Sequence, residues 1–318
     1  MTESAAESDV LDVTVPELLD GVRVDRALSI LTGITRAEAA GLVAAGAVLV
    51  GEQTVTRGAD ALVAGQRLVA RLPEVGPDVL VPEPDVEVDV VLEDPEFVVV
   101  DKSPGLVVHP GAGHRTGTLV AGLLARYPDL AAVGEAEGSS PMRPGIVQRL
   151  DKGTSGVLVV ARTARAYESL SSQLAARTME RAYVGLVEGD VIDDFGVVDA
   201  PIGRSQRTPT KMAVRASGRP ARTAYAVTRR LQGPSRTLLE LRLESGRTHQ
   251  IRVHMAAIGR PIVNDPRYGR RREPALAEGR VFLHAAVLGF DHPSTGERVT
   301  VTSALPSDLS ALLGELSG

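Results

Sequence analysis

The chain has 318 residues, 43% of them apolar, and a formal net charge of −5. The absence of cysteine excludes thiol catalysis, disulfides and Cys-ligated zinc, and with only 3% aromatic residues the core must be filled by Val, Leu and Ala. No apolar run reaches the roughly 18 residues of a membrane span, and the start MTESAAESDVLDV lacks the basic, apolar opening of a secretion signal. Two domains, a cytoplasmic location and no membrane partner are expected from these totals.

In chain order, residues 1–12 are small, acidic and aperiodic, and are expected to be disordered. Residues 13–72 read as a small α+β unit. VRVDRALSILTG places Val24, Ala27, Leu28 and Leu31 at helical spacing. Thr35, with Glu38 three residues on, reads as the capping box of a second helix, TRAEAAGLVAAG. AVLVGEQTVT follows as a hairpin turning at Gly51, then QRLVARLP as a short strand. Residues 73–85 are Pro-rich and acidic and read as a linker. Its continuation to residue 90 leads into the first strand of a larger domain, 86–318.

In that domain strands are expected at 96–101, 157–161, 181–188, 222–231, 236–244, 281–290 and 298–302. Helices are expected at 116–126, 163–176, 248–257 and 306–316. Strands outnumber helices and often follow one another through short turns. The fold class is therefore α+β, a mixed, mostly antiparallel sheet flanked by helices.

Charge is unevenly distributed. Residues 1–21 hold six acidic and no basic side chains, and residues 73–101 hold ten acidic and none basic. Residues 204–272 hold seventeen Lys/Arg, among them Lys211 and Arg247, against Glu240, Glu244 and Asp265. Such a stretch is either a set of solvated strand faces or a surface for a polyanion such as nucleic acid.

The central motif is IVQRLDKGTSGVLVVAR, residues 146–162. Asp151 stands on a turn before an apolar strand, where a scaffold can position a reactive group. Arg149 and Lys152 beside it favour its ionised form. Nucleophile, general base and metal ligand are all open to such a carboxylate. The turn GTSG is one residue short of a G-x-S-x-G elbow, and no phosphate-binding loop of the G-x-x-x-x-G-K-[ST] type is present.

In SGRTHQIRVHMAAIGRPIVND a helix is expected near Thr248, with His249 and Arg252 on one face. His249 and His254 are five apart and do not form an H-E-x-x-H zinc pair, so no metal is expected. Arg252 suits pairing with a carboxylate on a neighbouring loop, and His249 reads as a packing residue. Tyr183, in the strand-like MERAYVGLVEG, is either a core ring or a ring that stacks on a base.

Taken together, DPEFVVVDKSPGLVVHP, PGIVQRLDKGTSGVLVVART, RAYVGLV, GRTHQIRVHMAAIGRPIVND and FLHAAVLGFDHP resemble the RluA/RluD family of pseudouridine synthases. Residues 13–72 resemble the S4 RNA-binding domain that the large-subunit ribosomal RNA enzymes of this family carry. The resemblance implies isomerisation of uridine to pseudouridine within ribosomal RNA, with no cofactor or metal and no DNA partner. It implies Asp151 as catalytic aspartate, acting at C6 of uracil or at C1′, Tyr183 as the base-stacking tyrosine and Arg252 as the partner of the aspartate. Arg149 is implied to help hold a flipped-out nucleotide. Gln148 stands where the family usually has His, which leaves hydrogen bonding but no charge. Arg23, Arg26, Arg36 and Arg57 are implied as the RNA face of the S4-like unit, and a monomer is expected. Two other readings are an RNA-binding assembly factor without catalysis and the same chemistry on tRNA.

Overall fold

The apolar spacing in VRVDRALSILT folds as α1 (Val24–Thr32), with Val24, Ala27 and Leu28 buried. α2 (Arg36–Ala44) packs beside it through Ala39 and Val43. The computed structural model describes residues 10–32, 34, 36–72, 80–111, 114–208, 210–231, 235–269 and 272–316. Thr35, the expected cap, lies outside the described residues. The chain divides into two units, with the boundary after Val79.

The smaller unit covers α1 and α2 with an antiparallel sheet in the order β1-β4-β2-β3. Its strands are β1 (Val10–Thr14), β2 (Val48–Val50), β3 (Gln53–Thr54) and β4 (Arg67–Arg71). Gly51 makes the β2–β3 turn at φ +62°, as that hairpin requires. One expectation is corrected here. Val10 to Asp12, assigned to the acidic tail, belong to β1, because alternate side chains pack inward and Asp12 pairs with Arg67 across the strand pair. Residues 1–9 lie outside the described residues.

The larger unit begins earlier than residue 86. Leu80 is buried in its core, so residues 80–85 pack on it rather than link to it. Residues 73–79 of the expected linker lie outside the described residues. Its strands are β5 (Val90–Glu93), β6 (Phe97–Lys102), β7 (Ser155–Ala161), β8 (Glu180–Glu188), β9 (Phe195–Asp199), β10 (Ile202–Arg204), β11 (Met212–Val214), β12 (Arg222–Leu231), β13 (Arg236–Leu243), β14 (Leu283–Asp291) and β15 (Arg298–Thr302). Its helices are α3 (Leu119–Arg126), α4 (Leu130–Val133), α5 (Ala164–Ala176), α6 (Gln250–Ala257) and α7 (Ser307–Glu315).

Among the described residues the main sheet runs β5-β6-β7-β14-β8-β13-β12-β9, with β15 beside β14, and only β7–β14 is parallel. The mixed α+β class expected from the sequence is thus observed. β7 is buried at every position, which explains its unbroken apolar run. Leu158 and Val160 pack with α3, α6 and α7 on one face, while Val157 and Val159 pack with α5 on the other. β9, β10, β11 and α4 were not expected. They are short and half-exposed, so their apolar signal is weak.

Candidate active site

Three adjacent strands, β7, β14 and β8, set the site. Asp151 sits on the loop that enters β7. That loop is clamped by close backbone approach. A Cβ at Gly153 would lie 2.0 Å from the carbonyl oxygen of Gly279, and one at Gly156 (φ +116°) would lie 2.2 Å from that of Ala285.

Two buried cations pin the same loop. Arg280 donates Nη1 to the Gly153 carbonyl and Nη2 to Ser155 Oγ, both at 2.9 Å, while its Nε binds Asp308. Lys102 donates Nζ to the carbonyls of Ser103, Leu106 and Lys152. Burial and the nearby Arg280 charge push the Lys102 ammonium down to about 7, with Asp151 and Asp101 opposing. Neither residue stood out in the sequence, because each acts on a loop about fifty or more residues away.

Arg252, on the first turn of α6, uses all three guanidinium nitrogens. Nη1 donates to Asp151 Oδ2 at 2.9 Å, Nε to Asp265 Oδ2 at 2.7 Å and Nη2 to Asp265 Oδ1 at 2.9 Å. Burial opposes its charge, but the hydrogen bonds with Asp265 and the two carboxylate charges outweigh this and raise its pKa. Burial likewise opposes ionisation of Asp265. Arg252 and the backbone amides of Arg267 and Tyr268 overcome it and hold the carboxyl below its usual range. The partner of Asp151 is therefore Arg252. The expected neighbour Lys152 turns instead to His114, 3.1 Å away.

His249 differs from its expected reading. It precedes α6 rather than lying in it, and its backbone is left-handed (φ 57°), a conformation uncommon for a non-glycine residue. Its Nε2 lies 3.9 Å from Asp151 Oδ1. Its Nδ1 lies 2.8 Å from Tyr268 Oη, which accepts the Met212 amide at 3.1 Å. Nε2 is thus the ring nitrogen that faces Asp151. Burial lowers the His249 pKa, with the Asp151 charge opposing. His254, by contrast, is fully buried between Thr223 Oγ1 and the Ala200 carbonyl.

Tyr183 projects from β8 into the same space, its hydroxyl pushed up to about 12 by burial, with the Arg181 charge opposing. A cavity of about 450 Å³ opens here, within the usual range for small-ligand sites. Asp151, Tyr183, Gln148, Arg149 and Arg247 all line it, so the structure brings together five of the residues singled out in the sequence. Arg252 lines the smaller recess below, with Asp151 and Tyr183. Arg143, Arg177 and Arg181 also line the cavity and had not been expected. His109 joins them, driven down to about 4 by burial and then by Arg149 and Arg143. The side-chain nitrogen Nε2 of Gln148 is buried without a partner.

Other expected contact residues lie elsewhere. Lys211 is not on the cavity wall and donates Nζ to the Arg267 carbonyl at 2.6 Å. In the smaller unit Arg23 and Arg36 converge on Asp25 at 2.7 and 3.2 Å, so their charge is engaged within the unit. Arg26 and Arg57 are exposed and make no ion pair among the described residues.

The comparisons agree with this geometry. The family model for RNA pseudouridylate synthase matches residues 96–257, a span that holds Asp151, Tyr183 and Arg252. The chain is 41% identical over 314 residues to a ribosomal large subunit pseudouridine synthase D of Pseudomonas aeruginosa, covering 95% of this chain and 94% of that one. It is 46% identical over 246 residues to an uncharacterised RNA pseudouridine synthase of Bacillus subtilis, covering 75% and 78% of the two chains. Among solved structures, human RNA pseudouridylate synthase domain containing 1 aligns with a TM-score of 0.53 at 25% identity, covering 74% of this chain and 96% of that one. Sequence match, shared fold and an aspartate held by a buried arginine at the mouth of a nucleotide-sized cavity place the chain in the RNA pseudouridylate synthase family.

Proposed function

We propose that this enzyme isomerises uridine to pseudouridine in large-subunit ribosomal RNA, with Asp151 as the reacting carboxylate. The observation that carries the reading is the Asp151–Arg252 pair. It leaves Oδ1 of Asp151 free of Arg252 while Oδ2 is held at 2.9 Å, beside the Tyr183 ring and an arginine-lined cavity. Asp151 acts either at C6 of uracil or at C1′. In either order the N1–C1′ bond breaks, a C5–C1′ bond forms, and the proton lost from C5 is balanced by one gained at N1. No cofactor or metal takes part in this scheme.

Tyr183 stacks on the uracil, and Arg149 with Gln148 holds the nucleotide outside its helix, since base chemistry of this kind requires the target to leave the stack at a cost of about a few kcal/mol. The basic 204–272 stretch, Arg247 and Lys211 included, grips the RNA backbone. The smaller unit acts as an S4-like RNA-binding module through Arg26 and Arg57, and the enzyme works as a cytoplasmic monomer. The ribosomal substrate is favoured over tRNA because relatives matching nearly the whole chain are named for the large ribosomal subunit. Mapping pseudouridine in large-subunit ribosomal RNA before and after incubation with the purified protein tests this. New pseudouridine at defined uridines is expected, and none in any ribosomal RNA would leave only an RNA-binding factor.

A further inference from the structure

Arg181 is a buried guanidinium on the cavity wall. It is 7% exposed, and no carboxylate pairs with it among the described residues. Of its five N–H donors, one on Nη2 reaches the Leu243 carbonyl at a long 3.3 Å, and Nε is buried with no acceptor at all. A charge so enclosed is costly unless something anionic completes it. Arg181 lies one side-chain repeat before Tyr183 on β8, and both line the 450 Å³ cavity.

A second observation points the same way. Gly246 lines the cavity against the end of Arg181, and a Cβ at that position would lie 2.9 Å from Nη1. The missing side chain thus lets Nη1 stand at the cavity wall without a clash. Around it Arg143, Arg149 and Arg247 also make no ion pair among the described residues. Glu244, the carboxylate nearest in sequence to Gly246, is already engaged by Arg222 and Arg177.

We propose that Nη1 of Arg181, in the space left by Gly246, binds a phosphate of the RNA nucleotide held in the cavity. The proposal rests on the reading of the cavity as a uridine site and adds to it a backbone contact buried beside the base. The contact anchors the ribose-phosphate next to Tyr183 rather than on the outer basic surface. It makes no bond to the reacting atoms, so it acts first on binding.

The test uses the full chain and a large-subunit ribosomal RNA fragment that carries a mapped target uridine. Kd at several salt concentrations and the saturating single-turnover rate are measured for wild type, Arg181→Gln, Arg181→Lys and Gly246→Ala. Arg181→Gln is expected to weaken Kd about tenfold, as for one lost charged hydrogen bond. It should also flatten the slope of log K against log salt by roughly 0.7–0.9, one phosphate's worth. Arg181→Lys should restore the slope. Gly246→Ala, which only pushes the flexible end of Arg181 aside, should weaken Kd in the same direction even if Arg181→Gln fails to fold.

Replacing the phosphate 5′ or 3′ of the target by a neutral methylphosphonate identifies the partner. At one of the two positions wild type should lose what Arg181→Gln loses, and the variant should lose nothing more. Unchanged Kd and salt slope overturn the proposal, as does a loss confined to the saturating rate, or methylphosphonate and mutational losses that simply add. If wild type itself makes no pseudouridine, the functional reading has failed instead, and the two failures are told apart by the wild-type arm alone.

Discussion

Arg252 binds Asp151 through one nitrogen at 2.9 Å and gives its other two nitrogens to Asp265. The arginine is thus oriented by a buried carboxylate that does not face the cavity, and Asp151 is held by what remains. A fork with three engaged donors cannot be replaced by a point charge. Arg252→Lys should therefore fold but lose about a hundredfold in kcat, the scale of a misplacement of roughly 1 Å at a reacting group. Arg252→Ala should in addition destabilise the fold by about 3–5 kcal/mol, because Asp265 would be left buried and unpaired. Urea midpoints and single-turnover rates separate these effects. An Arg252→Lys enzyme as fast as wild type would show that the fork does not set Asp151.

Asp265→Asn tests the same arrangement from behind. The amide can still accept from the backbone of Arg267 and Tyr268, but it cannot take two charged donors. We expect RNA affinity to hold and kcat to fall. Loss of affinity with kcat intact would assign Asp265 to RNA binding instead.

His249 is predicted to matter through Nε2, which faces Asp151. His249→Asn keeps a residue that tolerates the left-handed backbone while removing the ring. Stability should change by less than about 1 kcal/mol, the usual scale for a substitution that spares the core, while kcat falls. Tyr268→Phe removes the hydrogen bond at Nδ1 and should lower kcat in the same direction. If neither variant changes the rate, His249 is a packing residue, as its sequence context alone suggested.

In the smaller unit, hydrogen bonding from Arg23, with Arg36 assisting, holds Asp25 down to about 2 against the opposing effect of burial. A folded-state pKa below the ordinary 3.8 gives stability that is complete above about pH 4 and lost as pH falls through about 2. Arg23→Ala should move this acid limb of unfolding to higher pH. It should cost less RNA affinity than Arg26→Ala or Arg57→Ala, whose charges make no ion pair among the described residues. Equal losses of affinity for all three would return Arg23 to the RNA face.

Much of this site was legible in the sequence, for a physical reason. Asp151 precedes the most strongly apolar strand, Tyr183 sits in an alternating one, and Arg252 follows a helix-start pattern, so local signals put each on its element, while their roles came only from the family resemblance. Asp265 was not legible, since an Asp after Asn reads as an ordinary turn residue until Arg252, thirteen positions earlier, is seen to face it. Arg181 was hidden because nothing in MERAYVGLVEG tells a buried guanidinium from a solvated one. His249 was misplaced because its left-handed backbone delays the start of the helix to Gln250, two residues after the expected start at Thr248. The β10–β11 hairpin was missed because its strands are three residues each and half-exposed.

The most direct test of the account is tritium release from large-subunit ribosomal RNA labelled at C5 of uridine, comparing wild type with Asp151→Asn. The substitution keeps the size of the side chain and its hydrogen bond from Arg252 but removes the charge and the nucleophile. We predict that wild type releases tritium in proportion to the pseudouridine formed and that Asp151→Asn releases none while binding the RNA as tightly. Sustained release by Asp151→Asn would contradict the assignment of Asp151 as the reacting group.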